Sequence, residues 1–214
     1  MAVSDDGVII AESVLPPARE HLEQLAILIH DQISRIGLSL KDVGGFGVAT
    51  GPGSFSGIRV GLATVKGMAL ALRKPVAGIP SLDILAWQAL QEGTAGVSII
   101  DARRKEVYVG LYRKSEGHLI TLAAPALLPV KELLPHLERL GVPPVFCGDD
   151  AAIAAVEATT DSIRKIIVTP SASPCAFLAW QRLKRDDSDE LHSISPLYIR
   201  PSDAEEKKAS AASL

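Results

Sequence analysis

The clearest structural signal in this sequence is a strand that runs through a glycine-rich loop into a helix. Residues 46–50 predict a short strand, and loop 51–57, with the sequence GPGSFSG, joins it to a helix from about Ile58 to Leu72. Such a unit can bind an anion, because backbone N–H groups and the helix dipole converge there. A phosphate-binding P-loop is excluded, since the last glycine is not followed by lysine and then serine or threonine. The loop residues that remain candidates for an anion or nucleotide contact are Gly51, Gly53 and Ser54.

The helix after the loop is rich in small residues on a broad face, at Gly57, Gly61, Ala63, Thr64, Gly67 and Ala71. A glycine inside a helix costs about 1 kcal/mol relative to alanine, so Gly61 and Gly67 need a compensating reason. Close approach of another backbone is the usual one. The sequence leaves two interpretations open: packing against this protein's own sheet, or packing against a helix of a partner.

Strands and helices alternate through the first half of the chain. The turn Asp5-Asp6-Gly7 predicts an opening hairpin with a strand over 8–14, and apolar spacing predicts a helix over 20–36. A strand over 75–79 follows, and then a helix to about Gln91 that Ser81 is expected to cap. The small-residue segment 93–96 predicts a boundary, which divides the chain into lobes 1–95 and 96–200 and a loose tail 201–214.

The second lobe should open with another hairpin, formed by strands 97–101 and 107–112. The pattern then predicts a strand over 119–124, a helix over 130–140, a strand over 145–147, a helix over 151–158, a strand over 163–168 and a last helix over 173–185. The fold class is therefore α/β.

Composition narrows the function. A net charge of −3 over 214 residues argues against a protein that holds nucleic acid by neutralising phosphates alone. The sequence begins without a basic region and an apolar stretch, and no apolar stretch approaches the roughly 20 residues of a membrane span. We therefore expect a cytoplasmic protein with no membrane partner. Cys147 and Cys175 are expected to be reduced core residues.

No constellation typical of an active site stands out. The five histidines include no pair at the helical spacing of a metal site, so the sequence predicts no metal and no catalytic residue. Asp101 is the one carboxylate worth retaining, because it ends an apolar strand, although Asp101 and Arg103 are more often a structural turn pair. Both belong to the candidate anion contacts. An enzyme that acts on its own stays open as the alternative function.

The segment 51–67, GPGSFSGIRVGLATVKG, resembles the signature of the TsaB (YeaZ) family. Weaker matches fall in the expected order at residues 19–21, 101–108 and 196–200. The resemblance implies a two-lobed fold of the actin-like ATPase (ASKHA) superfamily, in which each lobe is a mixed sheet with helices. It also implies a role in making threonylcarbamoyladenosine at position 37 of tRNA. Because the superfamily contains ATPases and the family once carried a glycoprotease label, the resemblance leaves a stand-alone ATPase or a peptidase-like hydrolase as the alternative.

In that family the chemistry belongs to a partner, TsaD, which carries a metal-binding HxxxH pair that this sequence lacks. The resemblance therefore implies a non-catalytic dimerisation subunit that supports TsaD, with the ATPase TsaE joining the complex and tRNA reached indirectly. No cofactor is expected on the chain alone, although a nucleotide is possible at the partner interface. A homodimer through the same helices would compete with this complex. The implied contact residues are His21, Leu25, Ile29, Gly57, Arg59, Gly61, Thr64, Gly67 and Met68.

One departure from the family concerns the first strand. Members usually begin with an additional strand ending in a sequence like IDTS, whereas Met1-Ala2-Val3 aligns inside the second strand. The absence would leave a sheet edge unpaired, which is costly. We expect that the start codon has been placed too late.

Overall fold

The chain opens with the predicted β-hairpin. The computed structural model describes residues 1–14, 25–139, 145–160, 163–168 and 170–200. Strands β1 (Ala2–Asp5) and β2 (Val8–Glu12) pair antiparallel, so β2 ends two residues earlier than predicted. At the turn, Gly7 has φ +82°, and a Cβ there would lie 2.8 Å from the ring of Trp180. Glycine is therefore required both by the turn and by the ring packed over it.

The strand, loop and helix unit is confirmed. Strand β3 (Phe46–Gly51) leads into helix α2 (Phe55–Leu72), and β4 (Val76–Pro80) pairs parallel with β3. The helix before this unit is α1 (Leu25–Arg35); the first residues of the predicted helix, 20–24, lie outside the described residues. Apolar side chains of β3, β4 and α2 form one core cluster, which includes Phe46, Val48, Leu62, Ala69 and Val76.

Helix α3 (Ser81–Ala89) begins directly where β4 ends. The prediction that Ser81 caps this helix is wrong, because Pro80 occupies the N-cap position and no side chain forms a cap hydrogen bond. Ser81 already belongs to the first turn. The first turn carries an acidic residue, Asp83, which accepts a hydrogen bond from Tyr112.

The second half is built on a five-stranded mixed sheet in the order β7-β6-β5-β8-β9. Strands β5, β6 and β7 are antiparallel neighbours, whereas β8 pairs parallel with both β5 and β9. The strands are β5 (Ala95–Asp101), β6 (Glu106–Ser115), β7 (His118–Pro129), β8 (Val145–Gly148) and β9 (Arg164–Ile167). Helices α4 (Val130–Arg139) and α5 (Asp150–Glu157) cover this sheet and close the largest core cluster.

The last helix, α6 (Ala172–Leu183), packs on strands of the first half, where it contacts β1, β3 and β4. A carboxylate from β2 binds the free backbone N–H groups at the start of α6. Glu12 Oε1 accepts hydrogen bonds from the N–H groups of Ala172 and Ser173, at 2.9 and 3.1 Å. The division into lobes 1–95 and 96–200 stays a prediction, and the tail 201–214 lies outside the described residues.

The strands of the first half form two separate sheets. Strand β1 pairs with β2 and β3 pairs with β4, and the two-stranded sheets share no ladder within the described residues. A cavity of about 1360 Å³ lies between them, lined by residues of β1, β3, α1, α2 and α6. Two sheet edges therefore face one cavity.

Candidate functional site

The start of α2 is fixed by its own loop. Ser54 is the N-cap, and its Oγ accepts a hydrogen bond from the Gly57 N–H at 3.3 Å, so the helix begins three residues earlier than predicted. Gly51 has φ +105°, and a Cβ there would lie 2.9 Å from the side chain of Ile58. The contact with Ile58 and the Ser54 cap therefore define the conformation of the loop. The cap also occupies the Gly57 N–H, one of the groups that an anion would need.

Helix α2 has a core side and an exposed side. Leu62 and Ala69 are buried, and Met68 packs with them against the core. The opposite side is exposed, and we call it the α2 outer face; its residues are Ser56, Arg59, Ala63, Gly67 and Leu70. Leu70 leaves 62% of its surface exposed. By length and composition α2 could also cross a membrane, which is weak evidence, since core helices pass the same test.

The helical glycines serve no packing within the described chain. A Cβ added at Gly61 or at Gly67 would meet no atom within 4 Å. Packing against this protein's own sheet therefore does not account for either residue. Gly67 belongs to the α2 outer face, whereas Gly61 lines the cavity between the two sheets. The structure thus separates two residues that the sequence placed on one face.

Arg59 is held in place by two aromatic rings. Its guanidinium lies 3.7 Å from the centroid of the Phe55 ring, and its Nε donates to the Tyr198 hydroxyl at 2.8 Å. Both rings remain about half exposed, at 50% and 47%. An arginine stacked on aromatic rings keeps its geometry at a low entropy cost, which is typical of interface anchors. Sequence reasoning missed both rings, although Tyr198 lies in the quoted segment 196–200.

Helix α1 carries the second part of the predicted contact surface. Leu25 and Ile29 are half-buried, and Ile29 lines the cavity. Ile27 leaves 63% of its surface exposed, so this helix carries apolar surface that the described part of the chain does not cover. Helices α1 and α2 are in contact, so the two predicted contact helices are neighbours. Thr64 of α2 is half-buried, and His21 lies outside the described residues.

Asp101 and Arg103, two candidate anion contacts, form a hydrogen bond and an ion pair with each other. The Arg103 N–H donates to Asp101 Oδ1 at 2.9 Å, and the two side chains form an ion pair at 3.4 Å. Arg200 supports the same turn by donating to the Ala102 carbonyl at 2.8 Å and by pairing with Glu106. The Asp101 carboxylate therefore stabilises the hairpin turn, which is the structural interpretation of this pair. Within the described residues, no group of three metal-ligating side chains is present.

Comparisons with known proteins give one consistent result. A family model described as "TsaD: tRNA N6-adenosine threonylcarbamoyltransferase" matches residues 9–208. The tRNA threonylcarbamoyladenosine biosynthesis protein TsaB of Bacillus subtilis is 28% identical over 213 residues, which cover 97% of this chain and 91% of that protein. The protein of the same name from Escherichia coli is 34% identical over 119 residues, or 55% of this chain and 51% of its own length.

Solved structures of similar fold lead to the same family. The structure described as YeaZ from Pseudomonas aeruginosa superposes with a TM-score of 0.71 at 29% identity, and the match covers 87% of this chain and 86% of that one. A second structure, described as an uncharacterized protein with similarity to peptidase YEAZ from the same organism, gives a TM-score of 0.72 at 27% identity. The predicted actin-like ATPase fold class is thereby confirmed.

Proposed function

This chain belongs to the TsaB (YeaZ) family of tRNA threonylcarbamoyladenosine biosynthesis proteins, and we propose that it is a non-catalytic subunit that binds and supports a tRNA N6-adenosine threonylcarbamoyltransferase. The observation that carries the proposal is the α2 outer face. It combines small residues, which admit a close helix, with an exposed leucine and a preorganised arginine. The partner transfers the threonylcarbamoyl group, and this chain contributes the surface that holds the partner.

The small residues set the kind of contact. Ala63 and Gly67 are one helical turn apart and both are exposed, so a second helix can approach the backbone of α2 closely there. Leu70 supplies exposed apolar area on the same face, and Ile27 is an exposed apolar residue of the neighbouring helix α1. Arg59 stands at the end of α2 nearest the loop and can pair with an acidic or carbonyl group of the partner. An interface of this composition has an apolar centre and a charged edge.

The complete proposal includes further members of the assembly. An ATPase, the TsaE of the family, joins the complex in the cytoplasm, and tRNA contacts it through the transferase. A homodimer that uses the α2 outer face would compete with the transferase complex, because one surface cannot serve both at once. Formation of the homodimer should therefore decrease as the transferase is added.

The test is co-expression with the transferase of the same organism, followed by size-exclusion chromatography with light scattering. We expect a complex that Ala63→Leu or Gly67→Leu weakens at least about tenfold, because either side chain keeps the helices apart. The matched control is Ala154→Leu, an exposed alanine-to-leucine change on α5. Circular dichroism should show all three variants folded. Binding that is equal in the control and the α2 variants would contradict the proposed surface.

A second measurement separates support from catalysis. Threonylcarbamoyladenosine formation by the transferase should increase on addition of this chain and should not increase with Ala63→Leu. The chain alone should turn over neither ATP nor a peptide. Turnover by the isolated chain that Asp101→Ala abolishes would instead favour the stand-alone enzyme.

A further inference from the structure

The turn between β5 and β6 carries three basic residues in succession, Arg103, Arg104 and Lys105, and we call it the basic turn. All three residues are exposed. All three also have the left-handed backbone conformation, with φ of 63°, 54° and 61°. Residues other than glycine and asparagine rarely adopt it, because it brings Cβ close to a carbonyl oxygen. Long basic side chains at three such positions need a reason outside the turn itself.

Hydrogen bonds from two elements hold the basic turn in this conformation. Within the hairpin, the Ala102 N–H donates to the Glu106 carbonyl and the Glu106 N–H donates to the Arg103 carbonyl, both at 3.0 Å. At the start of α4, the Val130 N–H donates to the Lys105 carbonyl at the same distance. A backbone that is already ordered loses little conformational entropy when a ligand binds its side chains.

The charges around the basic turn do not balance. Asp101 pairs with Arg103 at 3.4 Å, and Glu106 pairs with Arg200. These two acids face four basic side chains, so residues 101–106 and Arg200 have an excess of two positive charges in a chain whose net charge is −3. The pair with Asp101 leaves 86% of the Arg103 side chain exposed, so its guanidinium remains accessible to an anion.

The basic turn lies close to the proposed docking surface. Arg59 of the α2 outer face donates to the Tyr198 hydroxyl at 2.8 Å. Arg200 donates to the Ala102 carbonyl at the base of the turn, also at 2.8 Å. Residues 198 and 200 are two positions apart, which limits the distance between their Cα atoms to about 7 Å. A substrate held by a transferase on the α2 outer face would therefore come within reach of the turn.

The anion that fits the basic turn is a chain of phosphates. Adjacent basic side chains match the adjacent charges of a nucleic acid backbone, and the planar fork of arginine matches phosphate oxygens. An acidic segment of a protein is the other candidate. RNA is favoured, because the proposed function brings a tRNA into the same complex.

We propose that the basic turn binds the phosphate backbone of tRNA directly, in addition to the contacts that tRNA makes with the transferase. Arg103 and Lys105 supply the phosphate contacts. Such contacts fix the position of a nucleic acid and read no sequence, so different tRNAs can share them. The turn is thus a positioning element for the substrate and takes no part in the transfer. This inference rests on the proposed function, since it needs the tRNA that the transferase holds.

The test is a double variant, Arg103→Asn with Lys105→Asn, which removes two charges and tolerates the left-handed conformation. Its complex with the transferase should bind an unmodified tRNA transcript at least about tenfold more weakly at about 0.1 M salt. The slope of log affinity against log salt should decrease by about 1–2, because two phosphate contacts are lost. Fluorescence anisotropy of labelled tRNA measures both quantities.

Two matched variants serve as controls. Arg164→Gln with Lys165→Gln removes the same charge from exposed residues of β9 and should change the affinity for tRNA less than about twofold. Arg103→Lys with Lys105→Arg keeps the charge and should retain most of the binding.

The melting temperature of the isolated chain separates binding from a structural role. Arg103→Asn with Lys105→Asn should raise it by about 2–4 °C, because asparagine adopts the left-handed conformation more readily. A lower melting temperature would assign the two side chains to the stability of the turn and would overturn the proposal.

Equal affinity for tRNA and equal salt slopes in the double variant and the unsubstituted complex would also overturn it. Weaker assembly with the transferase, at unchanged affinity for tRNA, would assign the turn to an acidic segment of the partner instead. Binding of ATP to the isolated chain that the double variant abolishes would assign the turn to a free nucleotide.

Failure of the docking is distinguishable from failure of this inference. If the unsubstituted chain forms no complex in light scattering, the proposed docking is wrong. The same variants are then compared for tRNA binding by the isolated chain at about 0.02 M salt, where phosphate contacts are strongest. A loss of binding in Arg103→Asn with Lys105→Asn would support the turn as a tRNA contact, and equal binding would overturn it.

Discussion

Asp83 shows how one half-buried carboxyl group makes the stability of this fold depend on pH. The Tyr112 hydroxyl donates to Asp83 Oδ1 at 2.8 Å, and the tyrosine is completely buried. Burial raises the pKa of Asp83 above its ordinary value of 3.8, and the hydrogen bond from Tyr112 partly opposes that rise. The folded state therefore favours the protonated carboxyl. The stabilisation from this group is full below pH 3.8 and is lost as pH rises through the folded-state pKa.

We predict that Asp83→Asn gains stability relative to the unsubstituted chain as pH rises from 4 to 7. The amide oxygen still accepts the Tyr112 hydrogen bond, and the variant has no charge to bury. Urea unfolding at several pH values measures the difference. Tyr112→Phe should instead cost about 1–3 kcal/mol at pH 7, because it leaves the half-buried carboxylate without its donor. An Asp83→Asn effect that does not change with pH would contradict the prediction.

At the scale of elements, α2 combines two roles that make opposite demands. Its core side needs close packing at Leu62 and Ala69. Its outer face keeps Gly67, which weakens the helix although an added Cβ there would meet no atom within 4 Å. Stability alone does not explain Gly67 in such a position. The docking surface that we propose would account for it.

Gly67→Ala should therefore raise the free energy of unfolding of the isolated chain by about 0.5–1 kcal/mol, since alanine removes the backbone entropy cost of glycine and meets no neighbour. Chemical denaturation checks this. Gly47→Ala is the matched contrast, because a Cβ there would lie 2.5 Å from that of Ala179, and we expect it to destabilise the chain. A loss of stability in Gly67→Ala would show that the outer face is packed in solution.

At the scale of the whole molecule, the segment after α6 joins parts that are distant in sequence. The Asp189 N–H donates to the Val76 carbonyl, and its carboxylate accepts from the Gly78 N–H at 2.6 Å and from Arg182. Ile194 enters the core of the first half. Further on, Arg200 reaches the hairpin turn of the second half. The closing segment thus ties the strands of the first half to the sheet of the second.

We predict unequal effects for two acids that both pair with Arg182. Asp189→Ala should cost about 2–4 kcal/mol, because it leaves the Gly78 N–H and part of the guanidinium without partners in a half-buried place. Asp187→Ala should cost less than about 1 kcal/mol, because that carboxylate is 52% exposed and its pair is screened by water. Thermal unfolding of the two variants compares them directly, and equal losses would contradict the assigned role of Asp189.

The sequence by itself determined the α/β class, nearly every described strand and helix and the family, because periodicity, turn chemistry and the segment 51–67 are local properties of the chain. Only the tertiary structure decided the rest. Glu12 caps α6 from 160 residues away, Tyr198 holds Arg59 from 139 residues away, and Gly61 and Gly67 prove to face different surroundings. The physical reason is that such contacts depend on how elements pack against one another, which no spacing within a single element records.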